Sequence, residues 1–577
     1  MEPSCRGKDI ASGEVFLENS AVRSFLLFTL VLLASAQFSS AQFDPLTVIH
    51  PVVQKLGPPK VRPEFSVIPI AVSTKSEKAS AHVIQGIAQL NAPWDFESYR
   101  HFCEAAKADP DCLMAYWGIS MSLAGRNHEF FAERKAAIER MLDLVEADVG
   151  TDIEKGYVQA AGRLYANGSR AAGDIFSAIS KKYPNDSQSK LLGLFLSRDG
   201  FDEFGNPGEG QKACWDGLFE MVKANPESVP VVAFWVASQS EAPLNAGILE
   251  NDVLPFARKL ARLHPDFPPF HLTAAHVEAR CGHAKRAIGY CEQAISLYET
   301  YMETEKVTEF DCEGLIRCKV YLASLLATKG EFEKSVAIST ELSKMEVTEA
   351  RVFSRGAALI MWEGRTLGAR LSLLRDTKAD LDTGLKMLDA LDEKQWFPGK
   401  SMSLGYRDCL GHAIGVRKAL LAKDLPAAKS LQRDFTEKGR TFDQARKLAR
   451  NTSSFSEWLR AKSAIITLET ELLGLIKMQE TGASKMAALN FFKAAVDRQG
   501  GVLNFLPPAI AYPMELRVGN YYLDAGDAEK AAGAFRRGFD RMPNQIDILR
   551  AYRSALLKLG KNESAAKVAK QIEEVKK

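Results

Sequence analysis

A stretch near the end of the chain, from Tyr512 to Gln545, constrains the fold more than any other part of the sequence. Its pattern predicts two short helices joined by a glycine turn, within a period of about 34 residues. The small, aromatic and proline landmarks of this unit are Gly519, Tyr522, Gly526, Ala531, Phe535 and Pro543. Two helices alone cannot bury the apolar face of such a unit, so roughly three or more units must stack.

Each kind of landmark has a physical role in the predicted unit. The small residues let two antiparallel helices approach closely, and the aromatic residues fill the wedge between them. The glycine at the turn accepts a left-handed backbone, and the proline ends the second helix. One period further along the chain, Gly560 and Ala565 occupy the corresponding positions, which predicts a second unit.

The same intervals recur upstream, although less regularly. Matching residues occur at Phe102, Ala105 and Pro110, at Gly282, Ala287 and Ala294, and at Gly482, Ala487, Phe491 and Ala494. Between these segments the spacing drifts to about 40 residues, and residues 346–400 fit no register. The repeats in the middle of the chain are therefore expected to be degenerate.

These landmarks resemble the tetratricopeptide repeat (TPR). The pieces AYWG, GYVQAAGRLY and PPAIAYPMELRVGNYYLDAGD also resemble a group of exported bacterial TPR proteins. The resemblance implies an all-α solenoid of helix-turn-helix repeats, and the general role of such arrays is to hold partner proteins in a concave groove.

The predicted organisation follows from these patterns. A signal peptide and leader cover residues 1–41, a Pro-rich extended linker 42–78, and an N-terminal TPR-like array 79–345. An irregular helical insert covers 346–400, degenerate TPR-like pairs 401–505, and the C-terminal TPR repeats 506–577.

The apolar run from Phe25 to Ala34 predicts an export signal. About ten apolar residues are too few to span a bilayer, which takes about 20. Small residues follow in the A-x-A pattern of a cleavage site, so cleavage after Ala36 or after Ala41 fits. Either would yield an exported chain, periplasmic or secreted in a bacterium. An uncleaved anchor is the alternative, and only in that case do we expect membrane contact.

Charge and motifs narrow the range of functions. The net charge is +2 and no Lys/Arg-rich run with interleaved aromatics occurs, so nucleic acid is not an expected partner. The usual nucleophile, phosphate and dinucleotide motifs do not occur, nor does a paired metal-ligand spacing. We therefore predict no catalytic residue, cofactor or metal.

The cysteines after Cys5 are expected to be buried thiols, with Cys281 and Cys291 the first pair to check for a bridge.

The candidate partner-binding residues come from the last two repeats. In TPR proteins the first helix of each repeat turns positions five, nine, twelve and thirteen towards the concave groove. Here these positions hold Leu516, Asn520, Leu523 and Asp524, then Arg550, Ser554, Leu557 and Lys558. We select Leu516, Asn520, Asp524 and Arg550. Only Asn520 and Arg550 fit the Lys/Asn pattern that grips a C-terminal carboxylate, so a mixed polar and apolar groove is expected; a merely solvated surface is the alternative.

A second class of function would be a small-ligand receptor or an enzyme with a cavity enclosed by the superhelix. Its polar residues would be Asn127 and His128, in a predicted loop, together with His271 and His276 in the densest histidine stretch. Convergence of these side chains in a deep pocket would favour this reading. Packed histidines and a capped loop are the alternative.

Overall fold

The computed structural model describes residues 43–62, 70, 72–124, 129–202, 206–240, 242, 247–391, 403–448, 455–499, 505–543 and 545–576. Within these ranges the chain is an all-α, TPR-like array of helical pairs, and its only strand-like pairing is an isolated bridge between Phe201 and Pro207. Pro45 to Lys577 forms one compact unit. The predicted signal from Phe25 to Ala34 lies outside the described residues.

Ten helices make up the first five pairs in the described part of the chain. They are α1 Glu77–Asn91, α2 Asp95–Ala108, α3 Leu113–Ser122, α4 Phe131–Glu146, α5 Asp152–Asn167, α6 Ser169–Lys182, α7 Ser187–Leu196, α8 Glu209–Ala224, α9 Val229–Gln239 and α10 Leu254–Leu263. Each packs against the helices before and after it, as stacked pairs require.

The pairs continue through the rest of the chain. The helices are α11 Pro268–Arg280, α12 Ala284–Glu305, α13 Glu313–Lys329, α14 Phe332–Lys344, α15 Arg355–Leu359, α16 Arg365–Ser372, α17 Lys378–Asp389, α18 Ser403–Leu421, α19 Leu425–Leu448, α20 Phe455–Gln479, α21 Ala483–Arg498, α22 Glu515–Asp524, α23 Ala528–Arg541, α24 Ile546–Lys558 and α25 Asn562–Lys576. The last two pairs are α22/α23 and α24/α25.

The glycine and phenylalanine landmarks act as a matched set. A methyl group added at Gly519 would overlap the ring of Phe535, and one added at Gly86 or Gly118 would overlap the ring of Phe102. The ring therefore fills the space that the missing side chain leaves between two helices. This explains why both residue types recur at a fixed interval.

Side-chain caps and glycine turns set the helix boundaries. Thr151 and Glu154 form a reciprocal capping box at the start of α5, and Asp527 accepts a hydrogen bond from the Lys530 N–H at the start of α23. Between α22 and α23, Gly526 has φ +80°, a left-handed conformation that favours glycine. Local sequence thus determines where each pair turns.

Residues 346–391 differ from the expected irregular insert, because they continue the array. A π-helical segment, Ile360–Gly364, joins α15 to α16, and α16 packs against α14 and α17. The helical pairing therefore continues through this region, although the sequence does not keep the 34-residue register. The predicted loop at 392–400 lies outside the described residues.

The lead-in also differs from the predicted extended linker over residues 43–62. Val48 and Ile49 are buried, and the Tyr99 hydroxyl accepts a hydrogen bond from the His50 N–H and donates one to the Val48 carbonyl, both at 2.9 Å. Arg100 Nη2 donates to the Gly57 carbonyl at 3.1 Å. The apolar residues between the prolines supply enough buried surface to hold this segment against α2.

The helix lengths and the cysteines bear on the predictions of membrane contact and of a disulfide bridge. Among the described residues, none of the helices is both long and apolar enough to cross a bilayer. The eight cysteines in this part of the chain are free thiols, and all except the half-buried Cys281 are buried. Cys281 and Cys291 are therefore not bridged in this structure.

Candidate partner-binding surface

The inner side of the first five pairs is closed by contacts across the array. Asn91 of α1 and Gln188 of α7 exchange two amide hydrogen bonds, at 2.9 and 3.0 Å, and both residues are buried. Helix α1 also contacts α9, in which nearly every residue is buried. First helices from different pairs thus pack on each other at these points, although α5 keeps side chains such as Arg163 and Tyr165 exposed.

The central pairs enclose the predicted histidines. His276 on α11 is fully buried, its Nδ1 lies 2.7 Å from the Tyr321 hydroxyl, and its ring lies against Phe505 with centroids 4.9 Å apart. Burial, assisted by the charge of Arg280, lowers the pKa of His276 to about 3. A neutral, packed imidazole is the result, held between α13 and the segment that leads to the last two pairs.

His271 is also held in a packed environment. Its Nε2 lies 2.9 Å from the Pro265 carbonyl, its ring lies near Tyr290, and burial lowers its pKa. The other two residues of the predicted ligand site, Asn127 and His128, lie outside the described residues. The structure therefore brings His271 and His276 into helix packing, and it does not describe the loop that was expected to face them.

The last two pairs present their first helices differently. Asn520 and Asp524 on α22 and Arg550 on α24 are exposed, as the repeat positions predict. Leu516 is the exception, because its side chain is only 4% exposed and packs in the core with Met514. We therefore remove Leu516 from the candidate surface, since it lies too near the buried start of α22 to reach a partner.

A network of ion pairs centred on the buried Glu471 links α22 to the preceding pairs. Arg417 Nη2 donates to both oxygens of Glu471, at 2.7 and 2.6 Å, and Arg517 Nε donates to Glu471 Oε1 at 2.8 Å. Asp376 accepts from both arginines, at 3.0 and 2.7 Å. Although burial opposes it, the two guanidinium groups hold the pKa of the Asp376 carboxyl well below its usual range.

The segment that enters α22 is held by side chains from three helices. Gln499 donates to the carbonyls of Ile510 and Tyr512 and accepts from the Met514 N–H at 3.0 Å. Two buried arginines donate to its other carbonyls: Arg460 to that of Pro507 and Arg370 to that of Ala509. The exposed surface of the last pairs therefore rests on a rigid support rather than on a loose linker.

One face of α24 carries a continuous row of exposed side chains, which we call the basic stripe. It consists of Arg550, Arg553, Ser554, Leu557 and Lys558, spaced by three and four residues. Leu557 is 47% exposed, and Arg550 Nη1 donates to Asp547 Oδ1 at 3.0 Å at the start of the helix. The opposite face of α24 packs on α23 and α25.

Arg553 is the member of the stripe that the groove positions do not predict. One period earlier its place is taken by Gly519, which must be small because the Phe535 ring lies against it. In the last repeat the residue corresponding to Phe535 is Ala569, so no ring requires that space. The departure from a small residue at this position is the sequence signal for an exposed arginine.

Helix α25 covers the end of the array. Val568, Ile572 and Val575 pack against Ile546 and Leu549 of α24, whereas the outer face of α25 is exposed and bears charges of both signs. Helix α25 thus presents an apolar face to α24 and a charged face to solvent.

The described residues contain no group of three or more His, Cys, Asp or Glu side chains placed to hold a metal ion. Burial raises the pKa of the thiols that show a resolved shift, for example that of Cys409 to about 12, which keeps them protonated and weakly nucleophilic. The candidate surface therefore consists of charged and polar side chains and one apolar side chain, that of Leu557.

No protein-family model and no curated protein matches the chain. Similar solved structures include a human IFIT1 dimer with m7Gppp-AAAA, 12% identical with a TM-score of 0.34, covering 87% of this chain and 90% of that chain. The APC/C hetero-tetramer Cut9-Hcn1 is 14% identical with a TM-score of 0.32, covering 84% and 78%. Yeast Tom70 is 10% identical with a TM-score of 0.23, covering 87% and 100%.

Proposed function

We propose that this chain is an exported, non-catalytic scaffold that binds a protein partner through the first helices of its last two pairs. The observation that carries the proposal is the contrast in burial: α9 and α11 are almost entirely buried, whereas α22 and α24 expose Asn520, Asp524 and Arg550. A preformed helical surface on a rigid support binds an extended or helical segment without chemistry. The sequence of the leader supports the proposal of export.

A ligand cavity built on the predicted histidines has less support. His271 and His276 make packing contacts with neighbouring helices, and the low pKa of His276 follows from its complete burial. Neither ring lies on an exposed surface. We therefore propose the scaffold function alone.

Site-specific photo-cross-linking tests the proposed surface. Benzoylphenylalanine would replace Asn520 or Ser554 in the full chain, and the same replacement at Glu529 or Lys567, which are exposed on second helices, is the matched control. After irradiation with cell-envelope extract, we expect one specific protein to be cross-linked from positions 520 and 554 and not from 529 or 567. Equal cross-linking from all four positions, or none from the first two, would contradict the proposal.

A further inference from the structure

We infer that the basic stripe of α24 binds an acidic segment of the partner protein, with one apolar side chain of that segment seated on Leu557. This inference rests on the proposed function and specifies the chemistry of the partner. It goes beyond the general groove, because it assigns a charge pattern to the bound segment and adds Arg553 to the residues that contact it.

Basic residues outnumber acidic residues in the last pair. Residues 545–577 contain eight Lys/Arg and four Asp/Glu, whereas the whole chain has a net charge of only +2. Asp547 pairs with Arg550 and the other three acidic residues lie on α25 among its own lysines, so Arg553 and Lys558 carry the uncompensated charge of the stripe. The stripe therefore projects a local positive potential towards solvent.

Leu557 is the apolar member of the basic stripe. It is exposed although the opposite face of α24 is well packed, and it lies between Arg553 and Lys558 along the same face. An apolar contact surrounded by charged groups is the usual arrangement of a small protein interface.

The length of the basic stripe limits the length of the segment that it can bind. From Arg550 to Lys558 a helix rises about 12 Å, which corresponds to about two turns of a partner helix or about four residues of extended chain. Two or three carboxylates spaced by three or four residues in a helix, or by two in an extended chain, would match the cations. In both arrangements an apolar residue between the carboxylates would lie near Leu557.

A flat anionic surface fits the charges less well. Asn520 and Asp524 are exposed on α22, the first helix of the neighbouring pair, so that pair offers a carboxylate and no exposed cation on its first helix. A lipid surface or a nucleic-acid backbone would bring phosphates close to Asp524, which repels them. A short acidic peptide can lie along α24 and leave Asp524 in water.

Selection from a displayed library of random twelve-residue peptides tests the inference. The full chain would be compared with the double variant Arg553→Glu/Lys558→Glu and with a matched charge reversal on α25, Lys567→Glu/Lys570→Glu. We expect the full chain to enrich peptides rich in Asp and Glu around one apolar residue. Binding of synthetic copies should weaken at least tenfold in the α24 variant and less than twofold in the α25 variant.

Leu557→Ser gives an independent readout, because it leaves the charges unchanged. We expect about a fivefold loss of affinity for the selected peptides, with the salt dependence of binding preserved. Peptides that are not acidic, or acidic peptides that bind the α24 variant as well as the full chain, would overturn the inference. Binding to vesicles with one quarter anionic phospholipid that is lost in the α24 variant would overturn it in favour of a membrane.

The outcomes separate this inference from the proposed function. If cross-linking from Asn520 and Ser554 captures a specific protein but the selected peptides are not acidic, the scaffold function stands and the acidic-segment inference fails. If cross-linking shows no specific partner, the proposed function itself fails, whatever the peptide selection yields.

Discussion

The first five pairs and the last two pairs use the same helical unit in opposite ways. In the first five, the inner helices meet across the array, and a buried amide pair joins Asn91 to Gln188. In the last two, the inner helices keep Asn520 and Arg550 in solvent. The repeat therefore does not by itself provide a groove; a groove exists only where no other part of the chain occupies the inner side.

The difference also shows how the exposed pairs are stabilised. Helix α24 also contacts α13 across the array, yet Asn520, Asp524 and Arg550 stay exposed. Helix α22 is attached by Val518, which packs with Phe492 of α21, by the ion pairs of Arg517 with Glu471 and Asp376, and by the hydrogen bonds that hold the segment before α22. Each of the following variants tests one side of this contrast.

The largest effect is expected for Glu471→Gln. Glu471 is fully buried and accepts from Arg417 and Arg517, so the substitution leaves two buried guanidinium groups with only Asp376 as an anionic partner. We expect a loss of about 3–5 kcal/mol in the free energy of unfolding, measured in urea. Hydrogen exchange should show the last two pairs opening first.

Glu563→Gln, at an exposed position of α25, is the control for the same chemical change and should alter the free energy of unfolding by less than about 0.5 kcal/mol. A loss of under about 1 kcal/mol for Glu471→Gln would show that the network does not hold α22 in place.

A smaller loss in the free energy of unfolding is expected for Asn91→Ala, in the first five pairs. The substitution leaves the buried Gln188 amide without its partner and should cost about 1–3 kcal/mol. Asn520→Ala is the matched change in the exposed pairs, where water replaces any lost contact, so the cost should stay below about 0.5 kcal/mol. Equal losses in urea unfolding would remove the contrast between the two regions.

Lowering the pH should destabilise the first five pairs before it destabilises the last two pairs. His82 Nδ1 and His101 Nδ1 lie 3.1 Å apart in the core, and burial, then His82 and Arg100, lower the pKa of His101 to about 3. Because the folded pKa lies below the unfolded value of about 6.5, the stabilisation is complete above pH 6.5 and declines as pH falls further. The slope is about 1.4 kcal/mol per pH unit for His101.

Hydrogen exchange at pH 7.5 and 5.5, corrected for intrinsic rates, measures this effect. Peptides from α1 and α2 should lose protection, whereas residues 506–577, which contain no histidine, should change less. The variant His101→Gln should flatten the pH dependence in α1 and α2. Equal loss of protection in both regions would contradict the assignment to the histidine pair.

The smallest effect on stability is expected for Arg553→Glu. Arg553 is exposed on α24, so the free energy of unfolding should change by less than about 0.5 kcal/mol. A larger loss in urea unfolding would mean that Arg553 packs within the last pair and is not available to a partner.

Local sequence was sufficient to predict the helical pairs and their turns. The interval between Gly519 and Phe535, the left-handed Gly526 and the capping Asp527 all act within one unit, so their effects can be read from the sequence. The prediction of an all-α TPR-like solenoid was confirmed. The repeat register could not be followed through 346–391, where a five-residue helix, Arg355–Leu359, and a π-helical segment stand in place of a regular repeat helix.

The candidate surface could be predicted only in part. The repeat positions place Asn520, Asp524 and Arg550 on exposed helix faces, and the structure agrees with that placement. Leu516 is buried in the core cluster, which the repeat position alone does not predict, and Arg553 is exposed where Ala569, in the same unit, replaces the expected ring. The burial of Leu516 depends on tertiary packing, whereas the exposure of Arg553 has a signal within its own repeat unit.

The sequence by itself determined that this chain folds into stacked helical pairs, because the spacing of small and aromatic residues allows only close antiparallel packing within each unit. Only the tertiary structure decided which inner faces are closed. The small rotation between successive pairs accumulates along the array, and it brings together residues as distant as Asn91 and Gln188, 97 positions apart. No local sequence pattern gives this accumulated rotation. The exposed surface near the C-terminus can therefore be located only once the whole array is folded.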